Sequence, residues 1–394
     1  MGKERISGMQ KTSIKKNFMY QMIYQILIII LPFVTSPYIA RVIGAEGLGT
    51  YSYSYSIAYY FVLFSMLGLS NYGNRIIAQN RESQDKLNEV FSNVLAIHML
   101  FSFGCFIIYC IYAFFVAKER VYAIIQTAYV LSGIFDISWF YFGIEKFKLT
   151  VTRNTIIKIL NVICVFTFVK QPSDLWKYCI IMAFGMLISQ ITLWIPLKKY
   201  VKLVKPEMAK MVIHIKPLLI LFIPAIAVSL YKYMDKIMIG TLSSKAQLGY
   251  YENAEKMINI PLAIIMSFGT VMLPKMSNLV SSNNRAEANR YIGLSMKYVM
   301  CLAFALAFGL AGIGKVFAPV FWGKEFYLSG LLIMGLSTTI PFMSFANVIR
   351  TQYLIPTERD KEYLSSVIGG AIVNLIINGC LIPRYGAIGA TIGT

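Results

Sequence analysis

Lys232, Asp235 and Lys236 stand at i, i+3 and i+4 inside a long apolar run, where a helix would set all three on one face. The acid can neutralise one lysine at a time, so one positive charge on that face is left pointing at something. A second set surrounds another apolar run. There Asp136 precedes Trp139-Phe140-Tyr141-Phe142-Gly143, Glu145 follows at its mouth, and Arg153 and Lys158 come next along the chain. A charge held in hydrocarbon costs roughly 3 kcal/mol or more unless it pairs, faces a polar cavity or snorkels to the interface. Two arrangements meet that condition. In the first, the side chains form structural pairs, Asp136 with Lys158 or Glu145 with Arg153, while the 232–236 face dips into the outer interface. In the second, they line a cavity with surplus positive charge, which an anionic headgroup could enter without leaving a charge unpaired in low dielectric. Lys177, Lys297 and Lys315 lie near the ends of their runs and read as snorkelling side chains.

The chain offers little for making or breaking bonds. His98 and His214 are its only histidines, and neither has a metal-ligand or nucleophile partner at a recognisable spacing. The six cysteines fall within apolar runs without paired or metal spacing, and read as small buried hydrophobes. A phosphate-binding Walker motif is absent, and no outside loop is long enough for a catalytic domain. The expectation is a protein that is not an enzyme and carries no cofactor.

The elements that position these charges must be membrane helices. Hydrophobic residues make up 57% of the 394, charged residues 14%, and mean hydropathy is +0.62. A soluble domain is about a quarter charged, because water must solvate its surface. Apolar spans, each of about 20 residues, are predicted at roughly 18–40, 52–72, 92–116, 122–143, 154–170, 176–196, 217–239, 251–273, 294–316, 327–349 and 364–382. A twelfth begins near Gly386 and is cut off by the end of the chain. The first span follows a basic N-terminus, and its length and the polytopic helices after it favour an uncleaved span over a signal peptide. With the N-terminus placed inside, twenty-three lysines and arginines fall in inside segments and six in outside segments. The positive-inside rule thus predicts a cytoplasmic N-terminus and explains most of the net charge of +19, so nucleic acid is not needed as a partner.

The chain also looks doubled. Ile43-Gly44 followed by Leu48-Gly49-Thr50-Tyr51 is echoed about 200 residues later by Ile239-Gly240 and Leu248-Gly249-Tyr250-Tyr251. Six spans per copy is an even number, so both copies keep one orientation, a parallel repeat about an axis along the membrane normal. Prolines interrupt matching spans, Pro32 and Pro37 in the first and Pro217 and Pro224 in the seventh, with Pro261 in the eighth. Paired interruptions point to moving or substrate-lining helices. The predicted fold is an all-α integral membrane protein of about twelve helices, the last truncated, in two pseudo-symmetric six-helix lobes around a central cavity. Its expected parts are a cytoplasmic tail (1–17), an N-lobe (18–196), a basic linker (197–216) and a C-lobe (217–394).

Several stretches resemble the polysaccharide transporter family, whose best-known members are the O-antigen repeat-unit flippases. They are Arg41-Val42-Ile43-Gly44 with Leu48-Gly49-Thr50-Tyr51-Ser52, Asp136…Trp139-Phe140…Gly143…Glu145 and Tyr231…Asp235-Lys236…Ile239-Gly240. Leu248-Gly249-Tyr250-Tyr251 and Asn374…Asn378…Ile382-Pro383-Arg384-Tyr385-Gly386-Ala387-Ile388-Gly389-Ala390 complete the likeness, which covers nearly the whole chain in order. The superfamily also holds multidrug-and-toxin extrusion pumps and the lipid II flippase. The resemblance implies two six-helix lobes around a cationic cavity, working by alternating access. It further implies transfer of an undecaprenyl-pyrophosphate-linked oligosaccharide from the cytoplasmic to the outer leaflet of a bacterial plasma membrane. Family members have twelve to fourteen spans, and this chain ends within the motif that opens the twelfth, so a fragment or truncated form is expected.

Resemblance and residues meet at charge. Arg41, Arg153, Lys158, Lys232 and Lys236 are expected to bind the pyrophosphate headgroup in turn. Asp136, Asp235 and Glu145 are expected to orient these cations or to carry a coupling ion, with H+, Na+ or the membrane potential as the drive. Expected partners are the lipid-linked oligosaccharide, membrane lipids and other polysaccharide-assembly proteins. The alternatives are a multidrug exporter of the same superfamily, which would want surplus acid in its cavity, and a membrane-embedded glycan polymerase or acyltransferase, which would need a large outside loop or a catalytic histidine.

Overall fold

Backbone amides in hydrocarbon can be satisfied only within a helix or a closed barrel, and the long apolar runs of this chain take the first course. A computed structural model describes residues 14–394, which are helical nearly throughout and contain no strand. Most of the expected tail (1–17) therefore lies outside the described residues. In chain order the α-helices are α1 (Ile14–Met66), α2 (Leu69–Asn80), α3 (Gln84–Ile111), α4 (Arg120–Ile134), α5 (Ser138–Gly143), α6 (Phe147–Phe168), α7 (Leu175–Thr192) and α8 (Met208–Ser229). There follow α9 (Asp235–Leu242), α10 (Lys245–Ser281), α11 (Arg285–Trp322), α12 (Tyr327–Ser337), α13 (Thr339–Ile349), α14 (Asp360–Tyr385) and α15 (Ala387–Gly393). Wider π turns join α8 to α9 at Leu230–Met234 and extend α13 at Arg350–Leu354.

Among the described residues eight helical stretches are long and apolar enough to cross a bilayer, or nine if the bent pair Lys324–Ser337 and Thr339–Leu354 forms one broken span. That measure does not reach the expected twelve. The long α1 joins two helices, and its backbone leaves helical values at Gly44 (φ 75°, ψ 176°) rather than at Pro32 or Pro37. Glycine alone takes such a φ without a Cβ penalty, so Ile43-Gly44 is a true break between two spans. Of the six cysteines only Cys179 is buried; Cys301 and Cys380 lie on outward faces. On a membrane helix an outward face meets lipid, which accepts a small apolar side chain as readily as a core does.

Packing divides the chain into two compact units. One comprises the described residues up to Thr35 together with Phe61–Val169 and Trp176–Phe222. Its core is built on the aromatic run: Trp139, Phe140 and Tyr141 are wholly enclosed, with Phe91, Ile77 and Leu193 around them. The Trp139 ring lies against Gly73 of α2, and the Tyr141 hydroxyl donates to the Leu193 carbonyl at 2.6 Å. These aromatics are therefore core, with none of them left to stack on a ligand.

The other unit comprises Ser36–Tyr60, Lys170–Leu175 and Ile223–Thr394. Here the two copies of the Leu-Gly-x-Tyr piece meet. A methyl group on Gly49 would run into the Lys245 carbonyl, and one on Gly249 into the Ala45 carbonyl. Two backbones that approach this closely exclude any side chain, which is why glycine recurs at both positions. Polar bonds tie this part of α1 to the end of α11: the Ala45 amide donates to Glu325 Oε1 at 3.1 Å and Trp322 Nε1 to Ser36 Oγ at 2.9 Å.

Candidate functional site

In the second unit the charges are gathered and matched. Lys236, at the start of α9, lies 2.8 Å from Glu252 Oε2 and 2.8 Å from Glu255 Oε2, both on α10. The two acids sit at i and i+3, so one helical face presents both to the lysine. Ser52 Oγ donates to Glu252 at 2.7 Å, and Lys256 lies 3.4 Å from the same carboxylate. The side chain of Lys236 is only 12% exposed, those of Glu252 and Glu255 15% and 22%, so each charge depends on the others for solvation.

Asp235, one residue earlier, points into a different setting. Asn378 Nδ2 donates to its Oδ1 at 2.7 Å, and the hydroxyls of Tyr251 and Thr394 donate to its Oδ2 at 3.1 Å each. Asn378 also donates to Asn374 Oδ1 at 3.1 Å, and Asn374 to the Gly393 carbonyl at 3.2 Å. Four elements, α9, α10, α14 and the end of the chain after α15, converge on one carboxylate that is 2% exposed. The oxygen of Asn378, Oδ1, is buried without a hydrogen-bond partner.

In the first unit the charges border open space. A cleft of about 690 Å³ is lined by the turn after α5, the first turns of α6 and the segment after α7, with Lys146, Lys148, Arg153, Thr192 and Tyr200 among its walls. Glu145 has left-handed backbone (φ 58°), which ends α5 sharply, and its carboxylate pairs with Arg81 at 2.7 Å. Arg153 donates to Asn154 Oδ1 at 2.6 Å, the Ser189 carbonyl at 2.9 Å and Gln190 Oε1 at 3.0 Å, which fixes the guanidinium between α6 and α7. Lys146 lies over the Tyr200 ring at 5.7 Å, a cation–π contact. The cleft is flanked by Ile156 and Ile195, which are 51% and 78% exposed.

The positions singled out in the sequence fall as follows. Arg153, Lys158, Asp136 and Glu145 belong to the first unit; Arg41, Lys232, Lys236 and Asp235 belong to the second. The structural pairs considered for the first unit do not form: Glu145 takes Arg81 instead of Arg153, and Asp136 accepts from the Ser138 amide at 2.9 Å and from its hydroxyl. Lys158 is half-buried on α6. Arg41 is exposed and donates to the Val320 carbonyl at 2.7 Å and the Phe321 carbonyl at 3.3 Å, so it caps the end of α11.

The expected single face of Lys232, Asp235 and Lys236 is broken by the π turn at Leu230–Met234, which adds a residue to the turn and leaves Lys232 exposed. Asp235 and Lys236 then diverge as neighbours on a helix must, about 100° apart. The surplus cation expected there is absent from the described cluster, because two glutamates answer Lys236. Glu252 and Glu255 stand near the start of α10, and their partner lies on another helix. The tie of Asn378 to Asp235 spans 143 residues and has no local signal in the sequence.

Residues 14–280 match the family described as "Polysaccharide biosynthesis protein". The chain is 24% identical over 382 residues to a putative O-antigen transporter of Shigella dysenteriae, covering 96% of this chain and 95% of that protein. It is 21% identical over 388 residues to a putative O-antigen transporter of Escherichia coli K12, covering 97% and 93%. Among solved structures, the lipid II flippase MurJ in an inward closed conformation superposes with a TM-score of 0.76 at 15% identity, over 96% of this chain and 84% of that one. A multidrug resistance MATE family transporter in an outward-facing conformation gives 0.55 at 12% identity, over 96% and 91%. At these identities the structural likeness establishes the fold.

Proposed function

Because the chain belongs to the polysaccharide biosynthesis protein family, we propose that it is a flippase that carries a lipid-linked oligosaccharide across a membrane. Near full-length likeness to two O-antigen transporters carries the reading. The fold shared with a lipid II flippase agrees with it. The finer reading is that the lipid carrier is undecaprenyl pyrophosphate, the membrane is the bacterial plasma membrane with the N-terminus inside, and movement is outward by alternating access. The protein acts as a carrier and performs no bond chemistry of its own.

The pyrophosphate needs cations within its reach. Arg153 with Lys158 in the first unit, and Arg41 and Lys232 in the second, would touch it in turn. Lys236, held by Glu252 and Glu255, would instead set the shape and field of its unit. An inside-negative potential favours outward movement of an anion by about 2.3 kcal/mol per charge per 100 mV. Asp235 is the position proposed for coupling to H+ or Na+: its neighbours supply oxygens, and the Asn378 oxygen without a partner fits a small cation. Asp136 and Glu145 would orient the turn that bears the basic cleft.

A second reading has one observation in its favour. In the second unit the half-buried Glu252 and Glu255 match Lys236 and Lys256, and the buried Asp235 beside them adds a further acid, a surplus that suits export of cationic compounds. The test separates the two. Full-length protein is placed in proteoliposomes holding a fluorescent polyprenyl-diphosphate oligosaccharide, and outer-leaflet label is followed by chemical quenching. Protein-dependent translocation is expected, slowed in R153Q. A rate equal to that of protein-free vesicles, with efflux of ethidium instead, would overturn the flippase reading.

A further inference from the structure

Two tyrosines and three charged side chains meet in the second unit, at the level of the predicted spans 52–72, 217–239 and 251–273. Tyr59 of α1 and Tyr233 of the π turn stack with their ring centroids 3.8 Å apart. Lys236 lies 5.5 Å from the Tyr233 centroid and 2.8 Å from both Glu252 and Glu255, so the stack and the acids form one surface. Four segments carry it: α1, the π turn, α9 and α10.

Parts of this surface are open and unpartnered. Tyr59 and Tyr233 are half-buried, and their hydroxyls make no hydrogen bond among the described residues. Glu255 meets Lys236 through Oε2, which leaves its Oε1 for another donor. Hydrocarbon cannot solvate a phenol hydroxyl or a carboxylate oxygen, so at this depth the surface must face water or a polar ligand. Behind it Ser52 donates to Glu252, and Ser56, one turn further along α1, is enclosed with its hydroxyl unpaired.

We propose that this surface binds an uncharged sugar residue of the transported oligosaccharide and selects against acidic sugars, an inference that rests on the flippase reading. Neighbouring sugar hydroxyls donate to the Glu255 carboxylate and exchange hydrogen bonds with the two phenol hydroxyls, which both donate and accept. The exposed ring edges of the tyrosines cover the apolar face of the sugar. A sugar carboxylate would meet Glu252 and Glu255 instead, and the lysine between them is already held by both. Selectivity of this kind comes from a repulsive element as much as from the attractive contacts.

The experiment titrates the full chain in nanodiscs with free N-acetylglucosamine and, separately, with glucuronate, and reads binding by saturation-transfer NMR. N-acetylglucosamine should bind at least about tenfold more tightly, the ratio that about 1.4 kcal/mol of like-charge repulsion gives. E255Q should raise the affinity for glucuronate and bring the two sugars close together. Y59F/Y233F keeps both rings and should weaken N-acetylglucosamine about fivefold, the loss of roughly one net hydrogen bond. Should E255Q not fold, the milder tyrosine pair decides alone. Equal affinity for the two sugars in the unaltered protein, no saturable binding of N-acetylglucosamine, or unchanged binding in folded Y59F/Y233F would overturn the proposal. Absence of sugar binding in a protein that still translocates the lipid-linked oligosaccharide sinks this inference alone. Binding of ethidium in place of sugar, with no translocation, sinks the flippase reading with it.

Discussion

Lys236 and Arg153 both sit on helices that cross apolar surroundings, yet their units treat them in opposite ways. Lys236 lies between two carboxylates at 2.8 Å each and is nearly enclosed. Arg153 is held by amide and carbonyl oxygens at the wall of an open cleft, with two lysines on the same rim. A buried cation matched by acids gains its stability from them and has little left for a ligand. A cation on the wall of an open cleft stays within reach of whatever enters. The difference teaches that the number of charges in a membrane helix says little about binding until their partners are known.

Breaking the enclosed cluster should have the largest effect. K236M leaves Glu255 without its cation and Glu252 with Lys256 alone at 3.4 Å, which should cost about 3–5 kcal/mol. The measure is the thermal midpoint in detergent, and the triple change K236M/E252Q/E255Q should recover most of the loss. A K236M protein as stable as the original would remove the contrast between the units. D235N should come next: its carboxylate accepts three hydrogen bonds, and weakening them should cost about 1–3 kcal/mol. The same variant should lose any dependence of translocation on Na+ or pH, while one that keeps it would place the coupling site elsewhere.

R153Q should change the midpoint less than either, by about 1 kcal/mol, while slowing translocation roughly tenfold, as expected for about 1.4 kcal/mol of lost headgroup interaction. An equal loss in both would make Arg153 a packing residue like Lys236 and blunt the comparison. The smallest effect should come from R81Q, since the Arg81–Glu145 pair is well exposed and worth under about 1 kcal/mol. Its contribution should fade as salt is raised, which unfolding at two ionic strengths would detect.

Much of the architecture was legible from residue order. Apolar runs of span length demanded helices, and each predicted span meets one, although the boundaries shift where a helix continues past the hydrocarbon, as in Lys245–Ser281. The doubled Leu-Gly-x-Tyr signal also marked a real feature, because only glycine permits two backbones to cross as Gly49 and Gly249 do. Around the candidate site the sequence showed which residues were charged and where they stood along the chain. It did not show Glu145 turning to Arg81, or Arg41 capping α11, since such contacts join segments far apart in sequence.

The π turn at Leu230–Met234 illustrates the limit. A regular helix of 3.6 residues per turn would have aligned Lys232 with Lys236, and a single wider turn removed that alignment without any local mark in the sequence. Residue order alone thus determined that this chain lies in a bilayer, that it is helical and which few charges it keeps there, because hydrocarbon tolerates no other solution for the backbone. Tertiary structure alone decided which of those charges are neutralised. Coulomb attraction acts over a few ångströms in space, and distance along the chain does not report it.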